Sequence, residues 1–258
     1  MKTQIMGILN VTPDSFSDGG KYNDIDRAMI QCDKMVKEGA TIIDVGGEST
    51  RPGFIKVEAA DEIDRVIPVV EKIKSNFDVA VSLDTYKGEV AKAGIEAGID
   101  IVNDIWGLQY DDIMSKVVAG ADVKYCMMHN LKEPNENWTM DDFMNSFKSD
   151  LDRAYKANIS KDKIIYDPGI GFAKSQEQNL MIMANLARLN DLGLPILLGA
   201  SRKSVINYVC DLPVDQRLEG TLATTACAVM ARCDYVRVHD VAENYRFIQM
   251  FEGIMERK

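Results

Sequence analysis

The sequence predicts an α/β protein with the (β/α)8 TIM-barrel fold, formed by eight parallel strands and the helices between them. Eight short apolar segments alternate with amphipathic helical segments, as successive βα units do. Each apolar segment is followed by polar residues, and the active sites of such barrels lie at the carboxyl ends of the strands. The length of 258 residues is close to the roughly 250 typical of this fold.

The predicted strands are continuous apolar runs, which is typical of parallel strands buried on both faces. In chain order they cover residues 6–9, 41–43, 79–83, 100–102, 124–128, 164–166, 195–198 and 235–238. The polar residues that follow them are Asn10, Asp44, Asp84, Asn103, His129, Asp167, the Ser201–Ser204 stretch after Gly199, and His239.

Apolar residues at three- and four-residue steps predict helices between these strands. The predicted helices cover residues 24–38, 57–75, 87–97, 110–119, 141–158, 176–191, 214–233 and 241–256. Because no linker-like segment interrupts the pattern, we expect residues 1–258 to form a single domain. An open doubly wound sheet is the alternative, although it gives no reason for eight repeats.

Composition narrows the possible functions. A net charge of −10 without a run of basic residues argues against binding to nucleic acids or anionic membranes. Five cysteines without a CxxC pair, together with only two histidines, indicate reduced thiols in a cytoplasmic protein and no zinc site. Neither a signal peptide nor a membrane-spanning apolar run is visible.

Asp84, Asn103 and Asp167 end different strands, so a closed barrel would bring them to one mouth. A carboxylate can accept two parallel hydrogen bonds, and an amide can both donate and accept, which suits recognition of a flat heterocycle. The alternative is that these residues cap the following helices, and we expect that role for Asp44.

Cationic and polar residues follow the seventh and eighth strands, where TIM barrels usually bind anions. Lys203 and Ser204 are expected to begin a helix, whose amino terminus favours negative charge. Arg237 and His239 are two residues apart in a strand, so their side chains share a face. An anion site is favoured over scattered surface cations.

Asn10 and His129 lie at two further strand ends. Asn10 could bind Mg²⁺ through its amide oxygen, with phosphate oxygens and water completing the shell. His129 has no evident partner and is interpreted as structural or pocket-lining. Met127 is expected in the barrel core or against a ligand ring, and Trp106 is expected to pack rather than to stack on a ligand.

Five stretches of the chain resemble motifs of the dihydropteroate synthases, in the same order. They cover residues 6–20, 44–53, 167–172, 201–204 and 237–240. The resemblance implies a pterin-binding TIM barrel, usually a homodimer and a sulfonamide target. It further implies Mg²⁺-dependent condensation of 6-hydroxymethyl-7,8-dihydropterin diphosphate with 4-aminobenzoate, which gives 7,8-dihydropteroate and diphosphate in folate biosynthesis.

The resemblance also implies roles for individual residues. Those expected around the pterin are Asp84, Asn103, Asp167 and Lys203, with Phe172 and Gly199 also lining the substrate site. Those expected at the diphosphate and Mg²⁺ are Asn10, Arg237 and His239. Those expected around aminobenzoate are Thr50, Arg51 and Ser204, with Phe16, Asp18 and Pro52 closing over the site.

The implied reaction fits the absence of an activated nucleophile among the motifs. An aniline is neutral and nucleophilic near neutral pH, so the main barrier is charge on the leaving diphosphate, which Mg²⁺, Lys203, Arg237 and His239 could neutralise. This favours an SN1-like substitution, in which Asp18 is hypothesised to support the pterin cation. The alternatives are a methyltetrahydrofolate–corrinoid methyltransferase and a non-catalytic pterin-binding paralogue.

Overall fold

The structure, a computed structural model, describes residues 3–12, 21–48, 56–135 and 137–257. Eight strands alternate with helices along this part of the chain. They are β1 (Gln4–Asn10), β2 (Ile42–Gly46), β3 (Ala80–Asp84), β4 (Ile101–Asp104), β5 (Lys124–Met128), β6 (Ile164–Asp167), β7 (Leu197–Leu198) and β8 (Tyr235–Val238). All paired strands run parallel.

The sheet closes into a barrel. Its strands are hydrogen-bonded in the order β6–β5–β4–β3–β2–β1–β8–β7. The two ends of this order meet at a parallel bridge between Tyr166 and Ile196, where the Tyr166 amide donates to the Pro195 carbonyl at 2.9 Å. The TIM-barrel prediction is confirmed. The open doubly wound alternative is wrong, because an open sheet keeps two unpaired edges.

Nine α-helices are found in the described ranges, and each contributes to the layer around the barrel or to a connection. They are α1 (Lys21–Lys37), α2 (Ala59–Asn76), α3 (Gly88–Glu96), α4 (Asp112–Ala119), α5 (Met140–Lys156), α6 (Gln176–Ala184), α7 (Ser204–Cys210), α8 (Leu218–Met230) and α9 (Val241–Met255). As far as the chain is described, no helix is long and apolar enough to cross a membrane.

Two predicted helices differ from the structure. The segment predicted at 176–191 divides at Asn185 into α6 and a 3-10 segment, Leu186–Leu192. The segment predicted at 214–233 begins with a 3-10 turn, Val214–Gln216, and α8 begins only at Leu218. Hydrophobic periodicity cannot separate these cases, because 3-10 turns carry apolar residues at three-residue spacing as well.

The apolar core has an inner and an outer part. The inner part fills the barrel near the amino-terminal ends of its strands and consists of Met6, Ile42, Ile101, Cys126, Ile165 and Leu197. The outer part packs between strands and helices and includes Met127, so the idea that Met127 contacts a ligand ring is wrong. At the opposite end, Trp106 and Phe172 pack against Tyr86, Ile105 and Met128, which supports the packing role for Trp106.

A buried ion cluster joins β2 to the helices beside it. The Lys87 ammonium donates to Glu48 and Glu62 at 2.5 Å each, and the three side chains are at most 6% exposed. Glu48 also accepts from the Tyr86 hydroxyl at 2.6 Å and from the Val57 amide at 3.1 Å. The Val57 contact is a hydrogen bond between residues that precede and follow the 49–55 segment.

Replacing Lys87 by methionine should lower the free energy of unfolding by about 3–5 kcal/mol, because two carboxylates would remain buried without their cation. Urea titration followed by circular dichroism measures the change. The control is Lys92→Met, at an exposed position of α3, the helix that begins directly after Lys87. It should change the stability by less than about 0.5 kcal/mol. Equal losses in the two variants would contradict the assigned role of the cluster.

Candidate active site

Five strands bring polar side chains to the carboxyl-terminal mouth of the barrel. Asn10 ends β1, Asp84 ends β3, Asn103 lies in β4, Asp167 ends β6, and Arg237 lies in β8. All five belong to different strands of one closed barrel, so they face a common space. Convergence of Asp84, Asn103 and Asp167, predicted from their positions at strand ends, is what the structure shows.

Two glycines keep this space open. A Cβ atom at Gly46 would lie 3.6 Å from Asn10 Oδ1 and 3.6 Å from Asp84 Cβ. A Cβ atom at Gly199 would lie 3.3 Å from Asp167 Oδ2 and 3.9 Å from Arg237 Cβ. Gly199, which was expected to line the substrate site, therefore lies directly beside two of its polar residues.

Arg237 is held by two carboxylates across the barrel. Its Nε donates to Asp44 Oδ2 at 2.6 Å, and its Nη2 donates to Asp84 Oδ2 at 2.6 Å. The Asn103 Nδ2 donates to the same carboxylate of Asp44, at 3.3 Å to Oδ2. The expectation that Asp44 caps a helix is wrong, because its side chain is fully buried and points into the barrel.

Burial and neighbouring charges shift the ionisation of this group. Burial raises the pKa of Asp84, and the nearby Asp44 carboxylate adds to that rise while Arg237 opposes it. The pKa of Arg237 rises above its usual value, because the attraction of Asp44 and Asp84 outweighs the effect of burial. The guanidinium is thus a permanent cation whose charge two carboxylates compensate.

Asp167 lies on the other side of the mouth, and the backbone already satisfies one of its oxygens. Its Oδ1 accepts from the Gly169 amide at 2.7 Å. Burial raises the pKa of the carboxyl group, although the Lys203 ammonium opposes the rise. A buried carboxylate next to an ammonium group can accept hydrogen bonds from a ligand while it remains charged.

Lys203 reaches into the mouth from the loop after β7. Its Nζ donates to the Ile170 carbonyl and lies 4.5 Å from the centroid of the Phe172 ring. Burial lowers the pKa of this amine to about 8, while Asp167 favours the charged form. Gly171 adopts a φ of +84°, and a Cβ there would approach the Lys203 stem to 3.2 Å.

The remaining residues predicted for the anion site are already hydrogen-bonded to protein groups. His239 Nδ1 lies 3.1 Å from Ser201 Oγ, which also accepts from the His239 backbone amide at 3.2 Å. Arg202 binds Asp240 through two nitrogens, with Nε donating at 2.9 Å. Ser204 begins α7, and its Oγ accepts from Gln176 Nε2 at 3.2 Å.

Lys174 is a half-buried lysine that no sequence pattern indicates. Its Nζ donates to three carbonyl oxygens, those of His129, Gly169 and Phe172, at 3.1, 3.0 and 3.0 Å. Burial lowers its pKa to about 7. These bonds attach the loop after β6 to the end of β5, which holds Asp167 and Phe172 in place.

His129 has a structural role, one of the two predicted possibilities. It is fully buried, and its ring contacts Phe143 and Phe147 edge-on with centroids 5.6 and 4.8 Å apart. Its Nε2 lies 3.0 Å from Ser146 Oγ. Burial lowers its pKa to about 2, so the ring stays neutral and cannot serve as a cation at the mouth.

The residues expected to close over the site, and two of those expected around aminobenzoate, lie outside the described residues. Phe16 and Asp18 fall within 13–20, and Thr50, Arg51 and Pro52 fall within 49–55. Thr12 is the last described residue before 13–20, and Glu48 is the last before 49–55. They follow β1 and β2, and therefore lie at the mouth end of the barrel.

The mouth can supply a ligand for a magnesium ion, though not a complete site. Within the ranges that the structure describes, no three His, Cys, Asp or Glu side chains are grouped so as to hold a metal. Asn10 offers a carboxamide oxygen beside Gly46, a type of donor that Mg²⁺ accepts. These residues fit an ion whose other ligands are phosphate oxygens and water.

Comparison with known proteins identifies close relatives. The family described as pterin binding enzyme matches residues 6–239. The chain is 52% identical to the dihydropteroate synthase of Clostridium beijerinckii, with 99% of this chain and 96% of that protein covered. It is 46% identical to the Bacillus subtilis dihydropteroate synthase, with 99% and 90% covered.

Solved structures that resemble this chain are also of dihydropteroate synthases. The dihydropteroate synthase of Clostridium difficile, solved in the presence of pteroic acid, aligns with a TM-score of 0.94 at 47% identity, and 98% of this chain and 97% of that chain are covered. The Yersinia pestis dihydropteroate synthase, solved as a sulfonamide drug complex, aligns with a TM-score of 0.92 at 39% identity, covering 99% and 95%.

The Lys203 amine should titrate with a midpoint near pH 8, because burial disfavours its charged form. Nuclear magnetic resonance of ¹³C-labelled lysine side chains measures this, and Lys203→Arg assigns the signal by removing it. Asp167→Asn should move the midpoint further down, since the carboxylate favours the ammonium form. A Lys203 midpoint at the ordinary value of about 10.4 would contradict the described surroundings.

Proposed function

This chain belongs to the pterin-binding enzymes and, among them, to the dihydropteroate synthases, transferases of folate biosynthesis; from that premise we propose the reaction and the residue roles that follow. The enzyme joins 6-hydroxymethyl-7,8-dihydropterin diphosphate to 4-aminobenzoate and releases diphosphate and 7,8-dihydropteroate. The observation that carries the proposal is the convergence of Asp84, Asn103, Asp167 and Lys203 on one mouth.

The four residues suit a pterin ring. A pterin presents adjacent amino and ring N–H donors on one edge. The carboxylate oxygens of Asp84 and Asp167 can accept hydrogen bonds from these donors. Lys203 supplies an ammonium donor for a ring oxygen or nitrogen on the other side. The Phe172 ring beside the Lys203 ammonium, 4.5 Å away, adds an apolar surface at the same place.

Charge balance supports a metal ion at the diphosphate site. Arg237 is already shared by Asp44 and Asp84, so these three side chains are formally negative together when both carboxylates are ionised. Arg237 Nη1 makes no hydrogen bond to another described residue and can donate to a diphosphate oxygen, beside His239. Mg²⁺ bound by Asn10 would supply additional positive charge on the leaving diphosphate.

The chemistry then needs little from protein acids or bases. The aminobenzoate nitrogen is a neutral nucleophile near neutral pH, and the pterin carries developing positive charge at its exocyclic methylene as diphosphate leaves. The mouth residues hold the ring, orient the leaving group and stabilise its charge, which supports an SN1-like substitution. Thr50, Arg51, Pro52 and Ser204 are assigned to aminobenzoate, with Phe16 nearby.

The proposal extends to the protein as a whole. We assign it to the cytoplasm as a single-domain homodimer that sulfonamides inhibit, consistent with its reduced cysteines and its similarity to an enzyme solved with such a drug. A methyltetrahydrofolate–corrinoid methyltransferase would use the pterin site without a diphosphate. A non-catalytic paralogue would bind pterin without turnover.

The direct test is diphosphate release from the pterin diphosphate with Mg²⁺, in the presence and absence of 4-aminobenzoate. Release that requires aminobenzoate, accompanied by dihydropteroate, is the expected result. Pterin binding without release would favour the paralogue, and methyl transfer from methyltetrahydrofolate to a corrinoid would favour the methyltransferase. Chelation of Mg²⁺ should stop release while leaving binding of the pterin lacking diphosphate unchanged.

Asp167→Asn should weaken pterin binding by about 10- to 100-fold, since a hydrogen bond to a charged group contributes about 1.5–3 kcal/mol. Calorimetric titration with the pterin lacking diphosphate measures the dissociation constant. The KM for aminobenzoate, measured at saturating pterin diphosphate, is the internal control and should change little. A pterin affinity equal to that of the unmodified protein would remove Asp167 from the pterin site.

Asp18→Asn should lower kcat by at least about tenfold, because the variant loses a charge proposed to stabilise the pterin cation in the transition state. Pterin affinity should change much less than kcat, and the two are separated by single-turnover kinetics and equilibrium titration. An unchanged kcat would show that Asp18 gives the cation no electrostatic support.

A further inference from the structure

Asp44 lies inside the barrel, beneath the mouth. In the pairing register it is level with Ile8 of β1 and Ser82 of β3, whereas Asp84 is level with Gly46, two residues further along β2. Its side chain is fully buried. A buried carboxylate persists only when it is paired, so its partners indicate what it is for.

Both of its partners are residues of the mouth. Arg237 Nε donates to Asp44 Oδ2 at 2.6 Å, while Asn103 Nδ2 lies 3.3 Å from Oδ2 and 3.5 Å from Oδ1. Asp44 therefore contacts one proposed pterin ligand and one proposed diphosphate ligand without itself reaching the mouth. This is the position of a residue that acts through others.

The charge of Asp44 decides which way the Asn103 amide points. A carboxylate paired with arginine only accepts hydrogen bonds, so Asn103 must present its NH₂ group to it. The amide oxygen of Asn103 then faces the mouth. Asp84 Oδ1 and Asp167 Oδ2 accept no hydrogen bond from a described residue, so together with Asn103 they make three acceptors around one space.

Asp44 also fixes the plane of the Arg237 guanidinium. The planar group is held at Nε by Asp44 and at Nη2 by Asp84, which are separate points on one rigid fork. These two contacts restrict rotation of the guanidinium and so set the direction of its remaining nitrogen, Nη1. A single buried carboxylate thus sets both the amide of Asn103 and the cation of Arg237.

We propose that Asp44 is a positioning residue that makes the mouth selective for a ligand edge composed of hydrogen-bond donors. The proposal rests on the function proposed above and deepens it. Asp44 touches neither substrate. It keeps Asn103 as an acceptor and Arg237 as an oriented donor, so that the donor edge of a pterin meets acceptors and its diphosphate meets Arg237.

Asp44→Asn should change the orientation of the Asn103 amide. To keep Arg237 Nε satisfied, the new amide must turn its oxygen to the arginine and its NH₂ group towards Asn103. That NH₂ group would replace Oδ1, 3.5 Å from Asn103 Nδ2, and the two donors would face each other. This favours reversal of the Asn103 amide, which then presents its own NH₂ group to the mouth and opposes the pterin donors. Pterin affinity should fall by about 10- to 100-fold.

A swapped double variant separates orientation from general damage. In Asp44→Asn combined with Asn103→Asp, the amide at position 44 donates to the carboxylate at position 103, which again offers an acceptor to the ligand. Formal charge and side-chain volume are almost unchanged from the natural pair. Pterin affinity should return to within about threefold of that of the unmodified protein, which a merely structural role of Asp44 would not produce.

Asp150→Asn is the matched control. Asp150 is buried, pairs with Arg153 at 3.1 Å and accepts from the Tyr166 hydroxyl at 2.9 Å, and neither partner is a residue of the mouth. This variant should lose thermal stability while its folded molecules bind pterin like the unmodified protein. Such a result would show that loss of a buried, arginine-paired carboxylate does not by itself weaken pterin binding.

Titration of the four proteins with the pterin lacking diphosphate decides the question. Weak binding by Asp44→Asn that the swap restores supports the proposal. Unchanged binding by Asp44→Asn, or a swap that binds no better than Asp44→Asn, overturns the positioning role and leaves the proposed function intact. Failure of the unmodified protein to bind the pterin overturns both.

Discussion

The pairing of Arg237 with Asp44 and Asp84 is the interaction on which the arrangement of the mouth depends. It joins β8 to β2 and β3 across the inside of the barrel, with two contacts of 2.6 Å. Through Asp44 it also reaches Asn103 in β4. One polar network thus joins β8 to three consecutive strands, β2, β3 and β4. These polar groups give a ligand something to recognise where an apolar core would not.

The barrel tolerates this network because each buried charge has a partner. The apolar layer near the amino-terminal strand ends carries the packing, while Asp44, Asp84 and Asp167 are confined to the layers above it. Burial raises the pKa values of Asp84 and Asp167, and the cations Arg237 and Lys203 oppose that rise. The charges that remain are those that can bind a polar heterocycle and, with a metal ion, a diphosphate.

Much of this architecture was predictable from the sequence, because repeated βα periodicity and polar strand ends are local signals. They gave the closed barrel and the convergence of Asp84, Asn103 and Asp167. The capping role predicted for Asp44 is wrong because β2 continues to Gly46, which places Asp44 within the strand with its side chain facing inward. No sequence pattern indicates Lys174, because its partners are backbone carbonyl oxygens. None indicates the Lys87 cluster either, because its two carboxylates lie 39 and 25 residues away.

In the proposed arrangement, the mouth recognises a donor edge with fixed acceptors. Equilibrium titration of the unmodified protein with 6-hydroxymethylpterin, and with the same ring without its 2-amino group, tests this recognition. The second ligand should bind about a hundredfold more weakly or worse, because buried acceptors are left unpaired. Equal affinities would mean that ring shape alone is recognised and that the acceptors do not select the ligand.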